Sequence, residues 1–88
     1  MKRHPDYLLR EVAGSIVIVP VGAATANFPG MITLNVTGRF LWELLETEQT
    51  VDTLTNAMEA RYDVTARQAS EDIEIFLGRL RTAGALQE

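Results

Sequence analysis

Few residues in this sequence have the side chains that carry out chemistry. His4 is the single histidine, and it lies in an amino-terminal segment that we expect to be mobile, without neighbours that could orient it as a base or a ligand. The carboxylates Glu71, Asp72 and Glu74 could suggest an acid–base pair or a cation site, but their spacing places them on the polar side of a predicted helix. A solvated surface is the better interpretation. We therefore expect no catalytic residue and no metal site.

Two other kinds of chemistry also lack support in the sequence. There are no cysteines, which excludes a thiolate metal site, a cysteine nucleophile and a disulfide framework. Gly30 and Gly38 do not form the G-x-G-x-x-G pattern that binds phosphates. We expect no cofactor, and we interpret the chain as a binding protein and not as an enzyme.

The length and net charge of the chain restrict the classes of ligand that it could bind. The chain has 88 residues, of which 47% are hydrophobic, and we expect residues 1–88 to form a single domain. The formal net charge of −4 counts against non-specific binding of nucleic acid, which needs clustered Lys and Arg. The longest apolar run, residues 16–21, is too short to span a bilayer, and no signal peptide is recognisable. A cytoplasmic location is expected.

The amino-terminal part of the chain has the pattern of β-strands. Residues 7–12 and 15–21 are two strand-like runs, and the Ala13-Gly14 connection between them suits a tight hairpin turn. The second run is β-branched and apolar on both faces, which predicts the central strand of a small sheet.

Between the hairpin and the first helix, the sequence predicts a loop and then a third strand. Residues 22–30 are rich in Gly, Ala and Thr and predict a loop, in which Phe28 is expected to contact the core. Residues 30–35 predict a third strand that completes an antiparallel sheet. At an edge, this strand would leave one side of its backbone unpaired. Asn35 can then cap the helix that follows.

The first predicted helix covers residues 36–46 and is amphipathic. Trp42 lies to one side of the apolar stripe and is expected to be a half-buried packing residue. The stripe that should face the core consists of Val36, Phe40, Leu41, Leu44 and Leu45.

Residues 51–62 and 66–83 predict two further helices, each preceded by a threonine that can cap it. The later of the two begins with a Thr65-x-x-Gln68 capping box and ends at Gly84. The chain is therefore predicted to have three strands followed by three helices.

The order and spacing of these elements resemble the PqqD-like family, the pyrroloquinoline quinone biosynthesis protein D group. The junction between the third strand and the first helix is more similar to members found beside other peptide maturases than to those of the quinone pathway. The matching segments are Tyr7-Leu8-Leu9-Arg10-Glu11-Val12-Ala13-Gly14, Leu34-Asn35-x-Thr37-Gly38, Leu41-Trp42-x-Leu44-Leu45, Thr50-Val51, Tyr62, and Asp72-x-x-x-Phe76-Leu77-x-x-Leu80 on to Gly84.

The resemblance implies an α+β fold of the winged helix-turn-helix type, with a three-stranded antiparallel sheet followed by three helices. It also implies a role, because members of this family recognise the leader segment of a ribosomally synthesised precursor peptide. They present that peptide to a modifying enzyme, often a radical S-adenosylmethionine (SAM) maturase. The implied partners are thus a leader peptide and a modifying enzyme, and the peptide would add as a strand to the edge of the third strand.

The resemblance places the peptide between that edge and the third helix. This gives a reason for Ile75, which is apolar among charged residues. Phe76 is expected to belong to the core first and to the peptide site second. The implied peptide-binding residues are Met31, Ile32, Thr33 and Leu34 on the strand, and Asp72, Ile75, Phe76 and Arg79 on the helix.

Two other functions are compatible with the same elements. A winged-helix DNA-binding transcriptional regulator would share their order, but the third helix has as many acids as arginines, whereas a DNA-reading helix is basic. A homodimer formed by exchange of the edge strand is also compatible, and it does not exclude peptide binding.

Overall fold

Strands and helices follow one another in nearly the predicted order. The computed structural model describes residues 1–27 and 31–88. Its elements in chain order are β1 (Lys2–Arg3), β2 (Tyr7–Val12), β3 (Ser15–Pro20), a 3₁₀ helix (Gly22–Asn27), β4 (Ile32–Leu34), α1 (Val36–Leu44), α2 (Val51–Arg61), α3 (Ala66–Ala83) and β5 (Leu86–Gln87). The three-stranded antiparallel sheet followed by three helices is confirmed.

The sheet is built on the predicted hairpin. Ala13 and Gly14 both have positive φ angles, 52° and 82°, as in the two-residue turns whose twist matches that of the flanking strands. The strand order is β2-β3-β4, so β3 is central, as its two apolar faces predict. β3 pairs with β4 through Ile16–Leu34, Val17–Thr33 and Ile18–Ile32.

The connection between β3 and β4 differs from the predicted loop. Residues Gly22–Asn27 form a 3₁₀ helix, and the small side chains in this segment reduce the crowding that limits such helices. The predicted contact of Phe28 with the core lies outside the described residues. β4 is also shorter than predicted, because Met31 precedes it and Asn35 follows it as the helix cap.

The predicted helix caps are confirmed. The side chain of Asn35 accepts a hydrogen bond from the backbone N–H of Gly38, and Thr50 and Thr65 each begin a capping box. Gly84 ends α3 with a φ of 75°, which a residue with a side chain adopts only at a cost. None of the helices in the described residues is long and apolar enough to cross a membrane.

The stripe predicted for α1 was wrong in two places. Trp42 is 2% exposed and belongs to the core, whereas Val36 is 68% exposed. The reason is the rotation of the helix, whose inward positions are Gly38, Leu41, Trp42 and Leu45, at the i, i+3, i+4, i+7 spacing of one helical face. The core that results joins the sheet to all three helices.

The chain termini form a second, two-stranded sheet that the sequence did not predict. β1 pairs with β5, and the backbone N–H of His4 donates to the carbonyl of Ala85 at 2.9 Å. His4 Nδ1 accepts from the backbone N–H of Asp6 at 3.0 Å. The expectation of a mobile amino terminus was therefore wrong, because backbone hydrogen bonds and the His4 ring hold it in place.

Replacing Asn35 with Ala should destabilise the protein, because the first turn of α1 would lose its side-chain acceptor. We expect the free energy of unfolding to fall by about 1 kcal/mol in urea denaturation. Asn56→Ala is a matched control, since Asn56 is exposed within α2 and alanine there favours the helix slightly. Equal stabilities of the two variants would contradict a stabilising cap.

Candidate functional site

β4 forms one edge of the three-stranded sheet. It pairs with β3 on one side, and within residues 1–27 and 31–88 no strand pairs with its other side. Along β4, Ile32 is half-buried, Thr33 is exposed and Leu34 is buried in the core. Met31 lies outside the strand and is 60% exposed. The predicted edge is therefore present, but it has three residues and not four.

The four residues predicted on α3 share one side of the helix. Asp72, Ile75, Phe76 and Arg79 follow the i, i+3, i+4, i+7 spacing that aligns side chains on a helix. Ile75 is 67% exposed, so it is the anomalous surface residue that the sequence suggested. Phe76 is buried in the core cluster, as expected.

These four side chains line one cavity of about 220 Å³. Its apolar lining comes from three elements, since Leu41 of α1, Met58 of α2 and Phe76 of α3 all border it, and all three belong to the core. Asp72, Ile75 and Arg79 border the same cavity and are exposed. The cavity can therefore receive an apolar side chain, with one group of each charge beside it.

The start of α1 also lines the cavity, and it was not among the elements that the sequence predicted for the site. Asn35, Thr37 and Gly38 line it. The oxygen of the Asn35 side chain accepts from the Gly38 N–H at 2.8 Å and from the Thr37 hydroxyl at 3.0 Å. These residues directly follow β4, and a residue that caps the next helix must lie at the end of the edge strand. Their place in the site could therefore have been predicted from the sequence.

None of the predicted strand residues lines this cavity, but a hydrogen bond connects the strand to it. Arg79 Nη2 donates to the backbone carbonyl of Thr33 at 3.1 Å. The contact spans 46 positions in the sequence and joins α3 to β4. The predicted edge strand and the predicted side of α3 are thus in contact through Arg79.

The acidic cluster on α3 is solvated, as expected. Glu71, Asp72 and Glu74 are all exposed, and Glu71 pairs with Arg67 at 3.1 Å. In the part of the chain that the structure describes, no group of three potential ligands is placed to hold a metal ion.

A larger cavity lies elsewhere, bordered by β1, the start of β2 and α1. Its volume is about 620 Å³ and its lining mixes both charges, including Arg39 and Glu43. Arg3 lies over the Trp42 ring at 5.6 Å and donates to the Trp42 carbonyl at 3.0 Å. None of the predicted peptide-binding residues lines this cavity, and Arg3 has a structural role there.

Ile73 and Ile75 form a matched pair that tests the assignment of Ile75 to the surface. Ile73 is fully buried, so Ile73→Ala should lower the free energy of unfolding by about 2–5 kcal/mol. Ile75→Ala should change it by less than about 0.5 kcal/mol, because no core contact is lost. Urea denaturation of both variants measures the difference, and a large loss in Ile75→Ala would place this residue in the core.

Comparison with known proteins agrees with the fold described above. A solved structure described as TbiB1 in complex with the TbiA(beta) leader peptide matches with a TM-score of 0.76 and 21% sequence identity, over 99% of this chain and 95% of that chain. At this identity, the likeness shows a shared fold. No curated protein matches at a significant level. The family described as coenzyme PQQ synthesis protein D (PqqD) matches residues 9–86, which is most of the sequence. This chain belongs to the PqqD family.

Proposed function

We propose that this protein binds the leader segment of a ribosomally synthesised precursor peptide and presents it to a modifying enzyme, without itself catalysing a reaction. The observation that carries the proposal is the hydrogen bond from Arg79 to Thr33, which joins the β4 edge to the side of α3 that carries Ile75 and lines the cavity. Membership of a family named for coenzyme synthesis supports a biosynthetic role. TbiB1, which shares the fold, was solved with a leader peptide.

The peptide binds by adding a strand to β4. An edge strand offers N–H and C=O groups that an extended peptide can pair with, and alternate peptide side chains then point to the same side. Since β4 has only three residues, few backbone hydrogen bonds are available. Most of the selectivity must then come from side chains of the peptide that contact Ile75 and Phe76 and enter the cavity.

Residues 1–88 act as one recognition domain in this proposal. The family match over residues 9–86 leaves no large segment for a second function within this sequence. A radical SAM maturase is the proposed recipient of the peptide, and the cytoplasm, where ribosomal peptides are made, is the proposed location.

The charges of α3 favour a peptide over DNA. Arg67 pairs with Glu71 at 3.1 Å, and Arg81 pairs with Glu88 at 2.8 Å. Arg79 donates to a backbone carbonyl. Two of the three arginines of the helix are thus paired with glutamates, which reduces the positive charge that a DNA-binding helix needs for phosphates.

Titration with the leader of a precursor peptide encoded beside this gene tests the proposed site. Amide signals of residues 31–35 and 72–79 should shift in NMR spectra of the labelled protein. Ile75→Glu should weaken binding at least fivefold, or about 1 kcal/mol, because a charge replaces an apolar contact. Val12→Glu is the control, since Val12 is also exposed but lies on β2, at the opposite edge of the sheet.

Several outcomes would contradict this site. Shifts confined to α2 would exclude binding between β4 and α3. Equal weakening by Ile75→Glu and Val12→Glu would indicate a general effect of added negative charge. Shifts that depend on protein concentration without peptide, and that added peptide does not reverse, would indicate that a second copy of the chain occupies the edge in its place.

Methylation of the peptide backbone tests strand addition separately from the location of the site. In an antiparallel pair, alternate residues direct their N–H groups towards the neighbouring strand. Single N-methyl groups placed in turn along the bound peptide should therefore weaken binding at every second position and have little effect between them. Isothermal titration calorimetry measures the series. Weakening at every interior position would instead indicate a bound helix, in which each N–H donates to a carbonyl of the peptide itself.

A further inference from the structure

Arg79 differs from the other arginines of α3 in having no carboxylate partner within the described residues. Arg67 and Arg81 each pair with a glutamate. Residues three and four positions away from Arg79 on either side are Ile75, Phe76, Thr82 and Ala83, so the helix cannot supply an acid at the pairing distance. The positive charge of this guanidinium thus lies beside the cavity without a carboxylate of the described residues to offset it.

Arg79 also occupies a position that an added strand requires. Its Nη2 lies 3.1 Å from the carbonyl oxygen of Thr33, the middle residue of β4. In an antiparallel ladder, residues alternate between directing both backbone groups to the neighbouring strand and directing both away. Because the Thr33 carbonyl accepts from α3, Thr33 is one of the residues whose backbone groups are directed away from β3. The acceptor that a peptide N–H would use is thus already bonded to Arg79.

We propose that Arg79 exchanges partners when a leader peptide binds, which rests on the proposed function. The guanidinium leaves the Thr33 carbonyl, a peptide N–H takes its place, and Arg79 pairs with an Asp or Glu side chain of the peptide. A carboxylate is the partner of choice because its two oxygens match the planar fork of a guanidinium. The leader segment that this protein selects is therefore one with an acidic side chain beside its apolar anchor.

The other charge of the cavity fixes where that acid lies. Asp72 is seven residues from Arg79, or about 10 Å along the helix, and it has no ion pair within the described residues. An acid near Asp72 is repelled, whereas an acid near Arg79 gains a partner. The apolar side chain contacts Ile75, between the two charges. The acid thus lies on the Arg79 side of the apolar anchor.

The exchange also makes the β4 edge selective for acidic strands over neutral ones. A neutral strand must displace Arg79 from Thr33 without giving it a new partner, so it binds more weakly than an acidic one. The same cost applies to a second copy of this chain, whose β4 sequence, Ile32-Thr33-Leu34, has no acid. Arg79 thus protects the edge against strands that lack the recognised charge.

A display library of random peptides about twelve residues long, enough for a typical strand and its flanks, tests this inference. Peptides retained by the wild-type protein should be enriched in Asp or Glu at a fixed distance from an apolar residue. That preference should disappear with Arg79→Gln and change to Lys or Arg with Arg79→Glu. Arg67→Gln, on the same helix but outside the cavity, should leave it unchanged.

One selected peptide then gives a quantitative test by calorimetry. Replacing its acid with the matching amide should weaken binding to the wild-type protein about tenfold, but to Arg79→Gln at most about twofold. The resulting coupling of about fivefold corresponds to about 1 kcal/mol, which is typical of residues in direct contact. Arg79 is exposed, and amide spectra of the variants establish that they remain folded.

The outcomes separate this inference from the proposed function. Tighter binding of acidic and neutral peptides alike by Arg79→Gln would show that Arg79 only blocks the edge, and would overturn the exchange. An equal loss of acid preference in Arg67→Gln would show a general effect of charge and overturn it as well. If peptides are enriched but do not require Ile75, or none is enriched, the proposed site itself is wrong.

Discussion

The side-chain oxygen of Asn35 stabilises the junction between β4 and α1. It accepts from the Gly38 N–H and from the Thr37 hydroxyl, and so fixes the direction in which α1 leaves β4. Gly38 is buried at this junction, where an added Cβ would lie 3.2 Å from that same oxygen and 3.4 Å from Leu34. The close approach turns Leu41, Trp42 and Leu45 into the core. The end of the edge strand, one side of the cavity and the packing of α1 all depend on this junction.

The order of the elements could be predicted because their signals are local. Hairpin turns, capping boxes and the glycine that ends α3 each involve residues a few positions apart, and each was placed within one or two residues. The rotation of α1 could not be predicted in the same way. Val36 and Trp42 both fit an apolar helix, and the close approach of Gly38 to Leu34 favours the rotation that buries Trp42.

The candidate site also combines features that local sequence patterns predict with features that they do not. The spacing on α3 and the anomalous Ile75 identified one side of it, because a helix aligns residues at i, i+3, i+4 and i+7. Asn35 and Thr37 directly follow β4, so their place in the site could have been predicted. The bond from Arg79 to Thr33 joins distant parts of the sequence, so no local pattern could reveal it. The pairing of β1 with β5 was missed for the same reason, since it joins the two ends of the chain.

A three-residue edge has a consequence for how long a bound peptide remains. Affinity differences between related complexes lie mainly in the rate of dissociation, and each backbone hydrogen bond that is absent from the ladder makes dissociation faster. β4 offers few such bonds, and in the proposed exchange Arg79 returns to the Thr33 carbonyl once the peptide strand separates. Rapid release suits the proposed transfer of the peptide to an enzyme. The shortness of β4 favours a carrier that transfers its cargo over a protein that stores it.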